Sequence, residues 1–443
     1  MSAAHRGGVG AWLAYLLFFL MLFVPTAYQV VKAPMLVALV LMVAAGALVS
    51  GRLRLHPAVL LWTVFMMCVG LAFMIRGLLG DAPGAIRVGT VYVVWPLVYT
   101  VLVAGASRWL VLLGLARTMV VATLAIAAYG VSYILHVVGL LPSFLYLPLD
   151  QGQLIGLYHG YIELNLYNLS SLLFLVPFLI AVLMTWSDRD SAPASRFWLW
   201  AAVVAGGALV LLSGRRALLL VVSLAPLFTL AARQLLPAED RQSSWRVMLS
   251  TVAGASVALV ALLLYLSAVY GFSLATVWRM FLLGFDFGRD VSATARSNQF
   301  VALMTEWANA PLLGAGHGAS AAGSVRSVEQ PWAYELSYAA LLFHTGLVGF
   351  IAYISAVGWI YAEGLRVIRE GGARASYMLS VLVGLTCFLI GDATNPYLEK
   401  YDLMWVIFLP VALINHRRLE RDGSAPAPGP APASVPAPAA AVS

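Results

Sequence analysis

The sequence predicts an all-α polytopic membrane protein of about twelve transmembrane helices, with one large structured loop on the outer face. Three observations carry this. Of the 443 residues, 62% are hydrophobic and only 10% are charged, and the mean hydropathy is +0.90. A soluble domain carries about 25% charged residues, so this chain has too few to cover a water-facing surface. The apolar residues come in runs of membrane-crossing length, and helices satisfy their own backbone groups in lipid. Finally, Lys and Arg are concentrated in alternate connections, as topology-setting charges are.

The runs lie at roughly 11–30, 34–50, 57–75, 88–106, 118–139, 166–186, 197–213, 217–232, 247–271, 333–362, 376–392 and 403–415. The first is too long for a cleaved signal peptide. With both termini in the cytoplasm, 16 of the 26 Lys and Arg residues fall on the cytoplasmic side and 10 outside. Residues 1–271 then carry spans one to nine, 272–332 form the outer loop, and 333–422 carry spans ten to twelve. The tail, 423–443, is Pro/Ala-rich and is expected to be disordered.

The same bulk properties exclude several classes. The net charge of +7 does not imply a nucleic-acid partner, because the arginines are strung between spans rather than gathered in a patch. The expected partner of such a chain is the lipid bilayer. No phosphate-binding loop, dinucleotide fingerprint or metal-ligand spacing occurs in the sequence, so no cofactor and no metal are expected. Cys68 and Cys387 both lie in apolar runs and read as packing residues.

Three segments depart from a plain membrane bundle. "SGRRALLL", 213–220, sets Arg215 and Arg216 at the edge of two apolar runs, where charge is costly. The loop 272–332 is too long for a connector and too apolar for disorder. Within it, "WRMFLLGFDFGRD" suits an amphipathic helix on the membrane surface. "SATARSNQFVALMTEWANAP" follows, with Arg289 and Arg296 seven apart and so on one helical face, and Pro311 as the expected stop. "LLGAGHGAS", carrying His317, reads as a Gly-rich turn. Arg279, Arg289, Arg296 and Arg326 are matched in number by Asp286, Asp290, Glu306 and Glu329, so surface salt bridges are the plain alternative. Arg296 stands out because no acid lies three or four residues away. The third segment, "GDATNPYLEKYD" at 391–402, crowds Asp392, Asn395, Tyr397 and Glu399 into one turn. Acids and amides beside aromatic rings suit sugar hydroxyls; the alternative is a turn whose Asn-Pro breaks the helix.

"SGRRALLL", "ARSNQFVALMTEWANAPLLGAGHG" and "YELSYAALLFHTGLVGF" together resemble the three signature blocks of the O-antigen ligase and Wzy-type polysaccharide polymerase superfamily. The order, the spacing and the place of the loop between spans nine and ten are similar, and "HGYIELNLYNLSSL" resembles that family's Asn-containing segment opening the sixth span. The resemblance implies a GT-C-like membrane glycosyltransferase of the bacterial inner membrane, with a periplasmic loop and active site. Such an enzyme moves a glycan from an undecaprenyl-pyrophosphate carrier to an acceptor hydroxyl, without metal or nucleotide. Arginines would then offset the charge developing on the departing pyrophosphate. This role carries over to Arg216, the match to the family's Ser-Gly-x-Arg, and to Arg296, with Arg215 and Arg289 as further pyrophosphate contacts. Arg215 reads equally as a headgroup-level anchor.

One departure bears on the reaction. Aligning back from Gly346 puts Glu335 where ligases carry a histidine, and Tyr338 at the family's Tyr. Glu335 reads as the general base on the acceptor or as a salt-bridge partner of Arg296 or Arg326; His317 is the other candidate base, and Tyr338 joins the glycan subsite. The missing histidine favours a polymerase of polysaccharide repeat units, with a chain-length regulator as a candidate protein partner. The alternative is a ligase transferring glycan to lipid A core. From another class, a polyprenyl-linked glycan transporter or flippase would share the layout of twelve spans, but would show paired halves.

Overall fold

In the computed structural model, residues 8–149, 154–158, 161–186, 192–241, 291–323 and 328–423 are described, with isolated positions between 249 and 275. The helices are α1 (Val9–Phe23), α2 (Gln29–Ser50), α3 (Pro57–Leu79), α4 (Ala85–Gly105), α5 (Trp109–Val137), α6 (Leu169–Thr185), α7 (Arg196–Leu212) and α8 (Arg216–Arg233). They continue with α9 (Val291–Trp307), α10 (Ser337–Arg369), α11 (Gly372–Asp392) and α12 (Trp405–Arg421). Seven of them, α2, α3, α4, α5, α8, α10 and α11, are long and apolar enough to cross a membrane. The shorter α1, α6 and α7 are also apolar. A described helix overlaps every expected span except the ninth, 247–271, most of which lies outside the described residues. The amphipathic segment "WRMFLLGFDFGRD", Arg289, Arg326 and the Pro/Ala-rich tail beyond Gly423 lie outside them too.

The centre of the bundle is α6 and α11, whose residues are almost all buried and which pack on each other and on α8. Small residues allow the close approach: a Cβ on Gly391 would sit 2.8 Å from Leu173, and one on Gly384 3.0 Å from Phe174. Apolar faces of α2, α3 and α7 point outward instead, as lipid-facing helices require.

The structure corrects four details of the sequence reading. A short hairpin interrupts the all-α pattern: β1 (Leu154–Tyr158) pairs antiparallel with β2 (Tyr161–Asn165), Tyr158 opposite Tyr161. Its aromatic and β-branched residues favour extended backbone, and only two residues join the strands. The helix bearing Arg296 ends at Trp307, before Pro311, and the Trp307 indole donates to the Pro311 carbonyl at 3.1 Å.

The tenth span is not one continuous helix. At 33 residues α10 would reach about 50 Å, far beyond a bilayer core of about 30 Å. It breaks at Gly346, where φ is 60° and ψ is −170°. The preceding loop fills the break. Leu347 N and Val348 N donate to Pro311 O and Leu312 O at 2.9 and 3.0 Å, while Ala315 N and Gly316 N donate to Phe343 O and His344 O at 3.0 and 2.8 Å. Backbone groups freed by the break are therefore satisfied by protein, as membrane depth demands. The first turns of α10 thus belong to the cap formed with α9 and the Gly-rich turn.

The helix at the last expected span, α12, starts at Trp405, and the turn before it packs into the bundle. Tyr401 lies against Trp95 and Tyr99, halfway along α4, and its carbonyl accepts from the Tyr99 hydroxyl at 2.7 Å. One residue on, Asp402 meets Lys32 of α2 at 2.7 Å, both fully buried. The same Asp402 oxygen accepts from Thr26 N at 2.6 Å and Gln29 Nε2 at 2.7 Å. This ion pair clamps the α1–α2 turn to the α11–α12 connection.

Candidate functional site

At one end of the bundle, α8, α9, α10 and α11 approach the turn 393–400. Each contributes through local geometry that its sequence explains. In "SGRR", Ser213 is fully buried and Gly214 takes φ 66°, a left-handed turn for which glycine is suited. The turn ends α7 and starts α8 at Arg216, with Arg215 as its N-cap. Leu164 N donates to Ser213 O at 3.1 Å, so the end of β2 is tied to this turn. Arg215 then reaches across to donate to Asn165 Oδ1. Arg216, half-buried, occupies the first turn of α8.

The helix α9 docks through one face. Arg296, Gln299 and Leu303 succeed one another at helical spacing. Leu303 is buried with Tyr334, Ala340 and Phe343. Gln299 Oε1 accepts from Glu335 N at 2.8 Å and Leu336 N at 3.0 Å, which caps the start of α10 from another helix. Arg296 Nε donates to Glu335 Oε2 at 2.9 Å. Of the sequence alternatives for Glu335, the ion pair with Arg296 is the arrangement observed.

Tyr397 joins the two arginines. The Arg215 and Arg296 guanidiniums both lie within electrostatic range of its phenol. Burial nevertheless pushes the Tyr397 phenol above its ordinary value. Among the sequence candidates, the structure therefore brings together Arg215, Arg296, Glu335 and Tyr397. Asn395 sits in the same turn, partly exposed, and its side-chain amide makes no hydrogen bond among the described residues. Asp392 is 2% exposed and accepts from Leu398 N at 2.9 Å, so its carboxylate shapes the turn. Tyr338 is bound by its hydroxyl to Leu389 O at 2.5 Å and lies at the rim, 36% exposed.

No protein-family model matches this chain, and no curated protein matches it. The site is thus read from its own chemistry: two guanidiniums, a carboxylate and a phenol converge beside an available amide. Guanidinium forks suit phosphate oxygens, and a ring beside an amide suits a sugar.

His317 does not join this group. It is fully buried, stacked on Tyr92 at 4.5 Å, with Nε2 3.2 Å from the Tyr353 hydroxyl. Burial, aided by His344, holds its pKa well below the usual histidine range. The glycines around it explain the burial. Gly314, Gly316 and Gly318 have φ of 62°, 95° and 78°, and a Cβ on Gly316 or Gly318 would lie within 2.3 Å of backbone in α3 or at the start of α4. "GAGHG" is therefore a wedge between α3, α4 and α10, and encloses its histidine.

Two contributors, Asn165 and Gln299, are not singled out by the sequence; Glu399 is named there only as part of its crowded turn. Asn165 lies in "HGYIELNLYNLSSL" and has no signal of its own there. Gln299 has no signal beyond its place one turn after Arg296. Glu399 is partly accessible but surrounded by protein and makes no hydrogen bond among the described residues. Burial, then the nearby Asp392, raises its pKa to about 7.

Proposed function

We propose that this chain is a membrane glycosyltransferase of the bacterial inner membrane. It transfers glycan from an undecaprenyl-pyrophosphate carrier to an acceptor hydroxyl at the periplasmic face, joining polysaccharide repeat units. The observation that carries this reading is the convergence of Arg215 and Arg296 on Tyr397, with Glu335 on Arg296. The resemblance of the three sequence blocks supports it independently.

In this reading the donor diphosphate takes Arg215, Arg216 and Arg296 as its counter-charges. An incoming diphosphate competes with Glu335 for Arg296 and leaves the carboxylate facing the acceptor. The acceptor oxygen attacks the anomeric carbon as the bond from that carbon to the diphosphate oxygen breaks. The acceptor proton passes to Glu335, and the electron pair leaves on the carrier diphosphate, where the guanidiniums offset it. Asn395, Tyr397 and Tyr338 line the sugar side. Twelve spans with both termini cytoplasmic would place this cluster outside.

The test is a reaction of purified protein with a carrier-linked oligosaccharide, without ATP or an ion gradient. Longer carrier-linked glycans support the polymerase. Transfer to lipid A core reassigns the chain as a ligase. Transport into liposomes with no covalent change removes the enzyme reading.

A further inference from the structure

At the opposite end of the bundle, α1, α2, α4, α5 and α12 enclose an apolar cleft of about 490 Å³. Its walls include Leu17 and Phe18 of α1, Leu39 and Val43 of α2, Val103 of α4 and Phe408 of α12. Its origin lies in how α2 is held. Among the 22 residues of that helix only Lys32, Leu36 and Leu39 are buried, all in its first half. The Lys32–Asp402 clamp pins that half, while no residue of the second half is buried and Val43, Gly46 and Ala47 line the cleft.

The mouth of the wedge carries Arg52, Arg54 and Arg108, and its lining includes no acid. Among the described residues, none of these three guanidiniums makes a hydrogen bond or an ion pair. Several other arginines at this end are paired with acids instead. Arg418 meets Glu363 at 2.9 Å, Arg417 donates to Glu370 at 2.8 Å, and Arg374 pairs with Glu420. Three unpaired cations above an apolar slot between membrane helices match a lipid with a phosphate head and an acyl tail.

We propose that this wedge is a binding site for an anionic glycerophospholipid. An acyl chain lies against the apolar walls, and Arg52, Arg54 and Arg108 hold the phosphate. The site is separate from the Arg215–Arg296 cluster and does not depend on what that cluster does.

The test is native mass spectrometry of the full chain released from bilayers holding equal phosphatidylglycerol and phosphatidylcholine. The wild type is expected to retain one phosphatidylglycerol, at least fivefold over phosphatidylcholine. The triple variant Arg52→Gln, Arg54→Gln, Arg108→Gln is expected to lose that preference. Gly46→Leu provides a second variant, because Gly46 lines the wedge and a Cβ there meets nothing within 4 Å. It should fill the slot without disturbing the fold or the charge, and reduce retention of both lipids. Equal retention of the two lipids by the wild type overturns the proposal, as does undiminished phosphatidylglycerol on the triple variant or on Gly46→Leu. Retention of a polyprenyl phosphate in place of phospholipid overturns it as well. So does a wild type without lipid that acquires it once residues 2–7 are deleted, which would assign the wedge to the chain's own N-terminus.

Discussion

Arg296 Nε and Glu335 Oε2 lie 2.9 Å apart, joining α9 to the approach of α10. The side chains are 32% and 23% exposed, so solvent screens the pair and its contribution to stability is small. Arg296→Ala is therefore expected to shift the unfolding free energy by less than about 1 kcal/mol. Glycan elongation should fall by about 100-fold or more, the loss typical of a group that meets transition-state charge. Arg296→Lys should recover little, because an ammonium lacks the planar fork. Thermal unfolding and single-turnover elongation on the same preparations check this.

Arg215 is the arginine that shares Tyr397 with Arg296. Arg215→Ala is accordingly expected to slow elongation at least as much as Arg216→Ala. Initial rates at saturating donor measure the ranking, and a larger loss in Arg216→Ala would move the diphosphate onto α8.

Lys32 and Asp402 form a fully buried pair, where removal of one partner strands the other charge. Asp402→Leu alone should cost about 3–5 kcal/mol. The double variant Lys32→Met, Asp402→Leu should regain most of it, since neither charge is then left alone. Denaturation in mild detergent across the double-mutant cycle gives the coupling.

Glu399 gives a pH dependence with a definite sign. Its pKa in the fold is raised to about 7, so between its unfolded value of about 4.3 and 7 the folded chain holds a proton that the unfolded chain releases. Its contribution is complete below that unfolded value and is lost as pH rises through 7. Glu399→Gln should raise the melting temperature at pH 8 and change it little at pH 4. His317 acts on the acid side. Its folded pKa is depressed, so stability is complete above about 6.5 and declines as pH falls and the unfolded chain takes up the proton. His317→Phe should flatten that decline between pH 6.5 and 5, read as the difference in melting temperature from wild type.

Much of the helical scaffold was legible because lipid leaves few choices: apolar runs of sufficient length must be helices. Arg296 was legible through a local absence, having no acid within a helical turn. The break at Gly346 was not, because it depends on Pro311 and Leu312 offering carbonyls from a distant loop. The sequence puts Arg216 ahead of Arg215 through the Ser-Gly-x-Arg match, whereas the arginine beside Tyr397 is Arg215. Which one turns toward Tyr397 depends on the left-handed Gly214 and on Asn165, 50 residues away. The enclosure of His317 likewise follows from three glycines packed against other helices, a contact that local sequence does not display.

The account rests on Arg215 and Arg296 receiving a diphosphate as a sugar leaves it. Its most direct test is elongation of a radiolabelled, carrier-linked oligosaccharide by purified wild type and by Arg215→Ala, Arg296→Ala, followed on gels. The account predicts longer glycans from the wild type and none from the double variant, with both proteins folded. Equal elongation by the two would contradict it.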